Sequence, residues 1–475
     1  MNIDNGLYRR IAAAGQEQLL RYWNELDDAG QIRLKAQLEA INFEELSGLI
    51  RDYVLNKPST DIPEELAPAE YYPLVPADEA TRRLYAEAVR AGEELLRAGR
   101  VCCLTVAGGQ GTRLGYDGPK GTYPIGPVSG KSLFAYFAES ILRAGRKYGR
   151  PLSWYIMTSM LNCDATVDFF KNNKYFGLAP EQVFFFTQGT MPAIGYDGKL
   201  LLAAKDSLAL SPDGHGGTLL ALRKSGALDR MTREGTDIIS YFQVDNPLVR
   251  MCDPLFIGLH ALKDSEMSAI MLAKTGPMEK LGNFCVADGR LRIIEYSDLP
   301  EELANKRNAD GSLAFVAGSP AIHMISRDFV SALTADGVLK LPWHRADKKI
   351  PSLDAAGNII KPEAPNGVKL ESFIFDALPL AKRTLILEGD RAEVFAPTKN
   401  ATGVDSAESC RAMLVARDAR RLEAAGVKVP RRADGSIDAL IEVSPAAVLD
   451  DADMAEYVAG HDLRSIASGA KLYLD

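Results

Sequence analysis

The sequence predicts an α/β protein built on a mixed, mainly parallel β-sheet with helices on both faces. Three observations support this class. Short apolar runs alternate with helical patterns in the middle of the chain, the first part carries apolar residues at helical spacing, and the pattern changes again near Thr384. With 475 residues, the chain exceeds what one hydrophobic core usually organises. We therefore predict a helical N-terminal segment at residues 1–98, a central domain at 99–383 and a small α+β domain at 384–475.

The N-terminal segment is predicted to contain two helical parts joined by an extended connection. Apolar residues recur near helical spacing at Ile11, Leu19, Leu20, Trp23 and Leu26, and again at Leu84, Ala88, Val89, Ala91, Leu95 and Leu96. Prolines lie between the two parts at Pro58, Pro63, Pro68, Pro73 and Pro76. Because proline interrupts a helix, this stretch cannot be one continuous helix.

The central domain begins with an apolar run at residues 101–106 that ends in glycines. Further strand-like runs occupy 153–158, 183–186 and 238–244, and a helical pattern occupies 132–147. Buried strands separated by helices are typical of a parallel sheet. Asp288-Gly289 lies between two more strand-like runs and is a strong hairpin signal, which adds an antiparallel section. Residues 407–425 predict a helix that ends at Gly426.

The composition excludes several classes of protein and of site. A formal net charge of −8 provides no overall field for nucleic acid or an anionic membrane, so phosphate-binding cations would have to be concentrated locally. The six cysteines form no C-x-x-C pair, and with five histidines a zinc site is not expected. The N-terminus has no signal-peptide pattern, and no apolar stretch reaches the roughly 18 to 20 residues that cross a bilayer. We expect a cytoplasmic protein.

A glycine-rich turn follows the first central strand and is the sharpest feature of the sequence. It contains Gly108, Gly109, Gly111 and Gly115, with Arg113 inside it and Lys120 shortly after. Glycines let the backbone turn tightly and let its N–H groups approach an anion. Arginine supplies a planar fork of donors for phosphate oxygens, and lysine supplies a point charge. The turn therefore predicts a phosphate-binding loop.

Two better-known phosphate motifs do not fit this stretch. The dinucleotide fingerprint G-x-G-x-x-G fails because one residue too many separates Gly111 from Gly115. The P-loop pattern fails at Gly130-Lys131-Ser132, because Ile125 stands where the motif requires glycine. The spacing therefore disfavours a nicotinamide-dependent dehydrogenase.

Residues 108–121 resemble the signature of UTP-dependent sugar-1-phosphate uridylyltransferases, most closely the UDP-N-acetylhexosamine pyrophosphorylase branch. The resemblance continues in the family's order over about residues 100–405. Its further blocks are Gln188-Gly-Thr-Met-Pro-Ala193, Pro212-Asp-Gly-His-Gly-Gly217, Val244-Asp-Asn246, Glu295-Tyr-Ser297, Pro365-Asn-Gly-Val-Lys369, Phe373-Ile-Phe-Asp376 and Pro397-Thr-Lys-Asn-Ala401. It implies a Rossmann-like nucleotidyltransferase sheet and a reaction in which UTP and a sugar 1-phosphate give a UDP-sugar and pyrophosphate.

The resemblance also implies roles for individual residues. Asp245 follows an apolar strand, at the edge where parallel sheets bind ligands, and is predicted to hold Mg²⁺. The predicted catalytic cations are Arg113, Lys120 and Lys399. The predicted nucleotide-binding residues are Ala107, Gly108, Gly109, Gly111, Thr112, Gln188, Gly214, Asp245 and Lys369. Gln188 and Gly214 would read uracil through amide groups.

The predicted sugar-binding residues are Gly282, Glu295, Tyr296, Ser319, His215, Phe373 and Phe375. Phe373 and Phe375 alternate along the chain, so we expect them on one face of a strand, beside the N-acetyl group. His215 and Ser319 depart from the resemblance, because the N-acetylhexosamine branch has Asn at both positions. The Gly-His-Gly form is more similar to relatives that use glucose 1-phosphate or several sugars.

The resemblance implies N-acetylglucosamine 1-phosphate as the substrate, with glucose 1-phosphate or a broad range of sugars as alternatives. A regulatory protein that kept the fold without turnover would be expected to lose Arg113, Lys120, Asp245 or Lys399, and all four are present. We expect no nucleic-acid or membrane partner, and a monomer or weak homo-oligomer.

Overall fold

The computed structural model describes residues 3–57, 63 and 65–475. The chain folds into two compact units. The first unit comprises Met1–Pro63, Gln188–Gly217 and Lys340–Ala377, and the second comprises Glu64–Thr187, Thr218–Leu339 and Leu378–Asp475. The division into domains at 98/99 and 383/384 stays a prediction.

The α-helices of the described residues are α1 Asn5–Ala13, α2 Asp28–Glu39, α3 Phe43–Leu49, α4 Glu79–Arg97, α5 Leu133–Lys147, α6 Cys163–Asn172, α7 Thr218–Lys224, α8 Ala227–Glu234, α9 Pro254–Leu262, α10 Glu301–Asn305, α11 Arg327–Leu333, α12 Arg391–Val394, α13 Ala407–Ala424 and α14 Asp451–Gly460. Short 3-10 turns include Thr112–Leu114, Lys120–Thr122, His215–Gly217 and Ile374–Leu380. No helix in this part of the chain is long and apolar enough to cross a bilayer.

The strands of the same residues are β1 Ala67–Pro68, β2 Val101–Val106, β3 Trp154–Thr158, β4 Val183–Thr187, β5 Thr190–Pro192, β6 Ile194–Gly195, β7 Leu202–Ala204, β8 Ser207–Leu208, β9 Leu210–Pro212, β10 Ile238–Gln243, β11 Met267–Ala273, β12 Gly282–Ala287, β13 Arg290–Ile294, β14 Ala317–Ser319, β15 His323–Ser326, β16 Trp343–Lys348, β17 Ser352–Leu353, β18 Ile359–Ile360, β19 Gly367–Ser372, β20 Thr384–Glu388, β21 Ala439–Val443 and β22 Ala470–Leu474.

An eleven-stranded mixed sheet organises the second unit and confirms the predicted α/β class. Its path runs β1-β12-β14-β11-β15-β10-β2-β3-β4, with β13 added to β12 and β20 to β11. The run β10-β2-β3-β4 is parallel, whereas β15 joins β10 and β11 antiparallel. The antiparallel section is larger than predicted, because β14 and β15 also enter the sheet in that sense.

Local chemistry explains where the predicted elements begin and end. Helix α5 begins after Ser132, whose Oγ accepts the N–H of Ala135 at 3.2 Å. The hairpin between β12 and β13 turns at Asp288 and Gly289, both with positive φ, as a two-residue turn requires. Helix α13 is followed by Gly426 at φ +90°, which supplies the left-handed C-terminal residue. These predictions are confirmed.

The proline-rich connection is extended where the structure describes it. Pro68 ends the short edge strand β1, a position that tolerates the missing N–H of proline, and Tyr72 bridges Leu387. Pro58 lies outside the described residues. The prediction of an extended stretch holds for the described part.

The first unit has its own core of short helices and small sheets. Strands β16, β19 and β6 form a three-stranded antiparallel sheet, and β5-β9, β7-β8 and β17-β18 form pairs. Buried side chains of α1 to α3 pack with those of the sheets, including Leu7, Leu34, Ile194 and Leu370. The predicted helical start of the chain is confirmed by α1 to α4, except that the stretch from Leu19 to Leu26 contains the short 3-10 turns Glu17–Leu20 and Trp23–Glu25 and no α-helix.

Helices α4 and α9 of the second unit pack with almost no space between their backbones. A Cβ at Gly258 of α9 would lie 1.7 Å from the carbonyl oxygen of Ala88 in α4, and one at Gly92 would lie 2.0 Å from that of Pro254. Both distances are far below van der Waals contact, so the backbones themselves would have to move. Glycine is therefore required at both positions by packing.

We predict that Gly258→Ala destabilises the second unit by about 3 kcal/mol or more, because the added methyl overpacks a rigid backbone contact. The readout is the midpoint of thermal unfolding by circular dichroism. Gly460→Ala in α14 is the matched control, because its Cβ meets nothing within 4 Å and alanine favours a helix. Equal midpoints for Gly258→Ala and the control would contradict the packing argument.

Candidate active site

The glycine-rich turn leaves β2 at the end of the sheet where the parallel strands finish. Ala107 is fully buried, and its N–H donates to Met157 O at 2.8 Å, which continues the ladder for one residue. Gly109 and Gln110 are exposed, and the 3-10 turn Thr112–Leu114 follows. The loop then returns, because the N–H of Gly111 donates to Gly118 O at 2.9 Å and that of Lys120 to Gly109 O at 3.1 Å.

The glycines of the turn are required for different reasons. A Cβ at Gly111 would lie 2.7 Å from the ring of Tyr116, so packing within the protein requires this glycine. A Cβ at Gly121 would lie 2.2 Å from the ring of the buried Phe134, so the turn that carries Lys120 rests directly on the core. At Gly109 a Cβ would meet nothing within 4 Å. Packing against the described residues therefore does not explain the glycine at 109.

Lys120 and Asp245 form an ion pair at the end of the parallel strands. Lys120 Nζ donates to Asp245 Oδ2 at 3.2 Å, and the two side chains are 15% and 13% exposed. Asp245 comes shortly after β10, which lies beside β2 in parallel register. Two predicted site residues, far apart in sequence, are thus brought together because their strands are neighbours.

A backbone hydrogen bond holds the segment that contains Lys399 next to Asp245. The N–H of Thr398 donates to the carbonyl oxygen of Asp245 at 2.9 Å, which places the next residue, Lys399, beside the carboxylate. Burial alone would raise the pKa of Asp245, but the charges of Lys120 and Lys399 hold that pKa below its ordinary value. The carboxylate is therefore ionised at neutral pH, and the charges of two lysines compensate for its burial.

Asn246 fixes this arrangement and had no assigned role in the sequence analysis. Its side chain is 4% exposed; Nδ2 donates to Val394 O at 2.7 Å, and Oδ1 accepts the N–H of Ala396 at 2.9 Å. It ties the segment leading to Lys399 to the residue after Asp245. In the sequence, the signal that could have identified Asn246 was its position directly after Asp245.

Arg113 and Thr112 lie exposed on the 3-10 turn of the glycine-rich loop. Within the described residues, Arg113 forms no ion pair and is not part of the Lys120–Asp245 pair. Its guanidinium is therefore available to a ligand of the loop.

The sugar-binding residues predicted in the second unit gather at β12 and β14. Gly282 and Ser319 are opposite one another in the ladder, and Glu295 Oε1 is 3.8 Å from where a Gly282 Cβ would lie. Glu295 and Tyr296 follow β13 and are half-buried. Beside them Lys274 Nζ donates to Asn283 Oδ1, and burial lowers the pKa of Lys274. The sequence analysis did not include Lys274 among the predicted sugar-binding residues.

The predicted residues of the first unit include Gln188, Gly214 and Lys369. Gln188 is 8% exposed. Gly214 has φ +87°, and a Cβ there would lie 2.2 Å from Ser372 O, so its backbone is pressed against the end of β19. Lys369 lies within β19, opposite Ala346, and is half-buried. Gly214 is thus required for packing, whatever it binds.

His215, Phe373 and Phe375 form an aromatic cluster with His344. The His215 ring lies 5.1 Å from that of Phe373 at 17°, and the His344 ring lies 4.2 Å from Phe373 at 25°. His215 Nδ1 accepts the N–H of Ile374 at 3.1 Å. Burial, with a smaller contribution from His344, lowers the pKa of His215 to about 4. The imidazole is therefore neutral at physiological pH.

The expectation that Phe373 and Phe375 share a strand face is wrong. Strand β19 ends at Ser372, whose N–H and Oγ both donate to Asp213 O, at 2.8 and 3.0 Å. The chain then enters the 3-10 turn Ile374–Leu380. The two rings still lie 5.1 Å apart, because the turn folds them together.

Comparison with known proteins shows the family to which the chain is similar. Residues 64–442 match the family model described as UTP–glucose-1-phosphate uridylyltransferase. A human protein named UDP-N-acetylhexosamine pyrophosphorylase-like protein 1 is 36% identical over 96% of this chain and 95% of its own length. UDP-N-acetylglucosamine diphosphorylase 2 of Arabidopsis thaliana is 36% identical over 98% of this chain and 91% of its own.

Solved structures agree with this result. A putative UDP-N-acetylglucosamine pyrophosphorylase of Entamoeba histolytica superposes with a TM-score of 0.75 at 29% identity, covering 86% of this chain and all of its own. The UDP-N-acetylglucosamine pyrophosphorylase of Trypanosoma brucei has the same fold, with a TM-score of 0.83 at 24% identity over 100% of this chain and 99% of its own. The resemblance seen in the sequence is confirmed, and the chain belongs to the UTP–glucose-1-phosphate uridylyltransferase family of nucleotidyltransferases.

Proposed function

We propose that this chain transfers the uridylyl group of UTP to N-acetylglucosamine 1-phosphate, giving the UDP-sugar and pyrophosphate. The observation that carries the reaction type is the Lys120–Asp245 pair with Lys399 beside it, at the strand ends where the glycine-rich loop begins. The sugar follows from relatives named for N-acetylhexosamine or N-acetylglucosamine. His215, in its Gly-His-Gly form, favours glucose 1-phosphate or a broad sugar range as the second candidate, and Ser319 is a further departure from the N-acetylhexosamine branch.

The reaction needs no covalent enzyme intermediate. A phosphate oxygen of the sugar 1-phosphate attacks the α-phosphorus of UTP, and the bond to the β-phosphate breaks in line as pyrophosphate leaves. Negative charge accumulates on the transferred group and on pyrophosphate, so positioning and positive charge supply the catalysis. Arg113, Lys120 and Lys399 are proposed to carry that charge, and Lys369 to contact a phosphate of the nucleotide.

Mg²⁺ is the proposed cofactor, with Asp245 as its protein ligand. Within the described residues, no group of three or more His, Cys, Asp or Glu side chains could hold a metal ion. Mg²⁺ is usually bound by one or two carboxylates together with substrate phosphates, so a single ionised carboxylate fits that mode. The ion would neutralise phosphate charge when bound. When Mg²⁺ binds, Asp245 would contact the metal ion in place of Lys120.

The backbone of Ala107, Gly108, Gly109, Gly111 and Thr112 is proposed to contact the nucleotide. Gln188 and Gly214 are proposed to read uracil, because amide groups match its carbonyl and N–H pattern. At the sugar, Glu295 would accept hydrogen bonds from hydroxyl groups, with Tyr296, Gly282 and Ser319 around it. His215, Phe373 and Phe375 would form an apolar wall, because His215 stacks on Phe373, the Phe375 ring lies 5.1 Å from that of Phe373, and the imidazole is neutral.

We also propose that the protein is cytoplasmic and is a monomer or a weak homo-oligomer. All six cysteines are free thiols, as a reducing compartment requires. Pyrophosphate is the proposed product, with no nucleic-acid or membrane partner.

The test of the function is a coupled assay of pyrophosphate release with UTP and a panel of sugar 1-phosphates. We expect turnover with N-acetylglucosamine 1-phosphate, and its loss when EDTA removes divalent cations and recovery with added Mg²⁺. Preference for glucose 1-phosphate would establish the second candidate. No pyrophosphate with any sugar, from protein that is folded by circular dichroism, would refute the proposal.

Arg113→Ala is expected to lower kcat about 10²-fold, because it removes charge stabilisation from the reacting phosphates. Thermal stability should not change, because the side chain is exposed. The control is Arg233→Ala, an exposed arginine on α8. A kcat for Arg113→Ala equal to that of the control would remove Arg113 from the chemistry.

Gly109→Ala is expected to raise the KM for UTP about tenfold or more without lowering the unfolding midpoint. The added methyl meets no protein atom within 4 Å and would occupy the space through which the nucleotide approaches the loop. Gly111→Ala is the comparison, because its methyl meets Tyr116 and should lower the midpoint. An unchanged KM for UTP would show that residue 109 does not face the nucleotide.

His215→Asn is expected to shift the ratio of kcat/KM between N-acetylated and plain sugar 1-phosphates by about tenfold, with little change in the KM for UTP. Because the pKa of His215 is about 4, the wild-type ratio should be constant between about pH 6 and 8. His461→Asn is the control, since that ring stacks on Tyr457 in α14. An unchanged sugar profile would argue against a specificity role.

A further inference from the structure

We infer that Asn162, outside every assigned group, is a positioning residue that orients the peptide planes of the glycine-rich loop for the nucleotide. That the ligand is a nucleotide rests on the proposed function. That Asn162 orients the loop rests on the geometry of its hydrogen bonds alone. Asn162 lies between β3 and α6, and its side chain is 1% exposed.

Both the oxygen and the nitrogen of the Asn162 carboxamide form hydrogen bonds, and these bonds connect two loops. Oδ1 accepts the N–H and the hydroxyl of Ser159, at 2.8 and 3.0 Å. Nδ2 donates to Ala107 O at 2.9 Å and to Gly109 O at 3.3 Å. Only this orientation of the amide satisfies both sides, because the Ser159 N–H faces Oδ1 and two carbonyls face Nδ2. The loop after β3 therefore holds two carbonyls of the loop after β2.

Holding these carbonyls fixes the N–H groups of the following residues. In a planar trans peptide, the C=O and the next N–H point in opposite directions, and the described chain has no cis bond. With Ala107 O and Gly109 O directed at Asn162, the N–H groups of Gly108 and Gln110 point away from it. In the parts of the chain that the structure covers, neither donates to a protein acceptor. These are free donors for an anion.

The position of Asn162 supports a role beyond starting a helix. It is the N-cap residue of α6, where Asn usually accepts an N–H of the first turn, a bond worth about 1 kcal/mol. Here the side chain makes no such bond and turns toward the glycine-rich loop instead. Helix α6 therefore lacks a side-chain N-cap bond, and the same side chain forms buried hydrogen bonds to the glycine-rich loop.

Asn162→Asp tests the inference, because it keeps the shape and the acceptor for Ser159 but replaces the two N–H donors with a second oxygen. That oxygen would face two carbonyls and turn their peptides. We expect the KM for UTP to rise about tenfold or more, while the KM for the sugar 1-phosphate stays within about twofold. The control is Asn172→Asp, which makes the same change at an exposed position of α6.

A second readout needs no substrate. Deuterium uptake of the peptide covering residues 104–116, measured by mass spectrometry, should be faster in Asn162→Asp than in the control and wild type. Asn162→Ala is measured in parallel; if the Asp variant fails to fold, the Ala variant decides. Unchanged uptake would overturn the positioning role. Faster uptake with equal KM values for UTP would overturn its link to the nucleotide. A wild-type protein without turnover would refute the proposed function, and the uptake result would still stand.

Discussion

The charged centre at the strand ends of the second unit depends on the contact between Lys120 and Asp245. Both residues are largely buried, and a buried carboxylate is costly unless cations compensate for it. Lys120 supplies one charge and Lys399 another, so that three segments far apart in sequence converge on one carboxyl group. The same cations would face the phosphates of a nucleotide. The charges that keep Asp245 ionised are therefore the same ones that are proposed to serve the reaction.

Rigid supports surround this charged centre. Gly121 rests on the ring of Phe134, Asn246 binds the segment before Lys399, and Asn162 holds the carbonyls of the glycine-rich loop. Each support is buried, so a change in any of them would be transmitted to the charged groups. A site that stabilises developing charge works best when its groups need not reorganise, and these contacts provide that fixity.

The residues predicted to bind the sugar offer different chemistry in each unit. In the first unit, neutral His215 stacks on Phe373, which also stacks on His344. In the second unit, Glu295, Gly282 and Ser319 lie close together at β12 and β14. Rings and hydroxyl acceptors distinguish one sugar from another through small differences in packing and hydrogen bonding. The two departures from the resemblance fall one in each group, His215 in the first unit and Ser319 in the second.

The sequence by itself determined the elements and the family, because apolar periodicity and the glycine spacing around Arg113 are local properties of the chain. It could not determine that β14 and β15 enter the sheet antiparallel, since strand pairing depends on distant partners. It misassigned Phe373 and Phe375 to a strand, because the bonds from Ser372 to Asp213 that end β19 are long-range. Only the tertiary structure placed Lys399 beside Asp245 and turned Asn162 from its helix to the glycine-rich loop, because both contacts join segments that the linear order keeps apart.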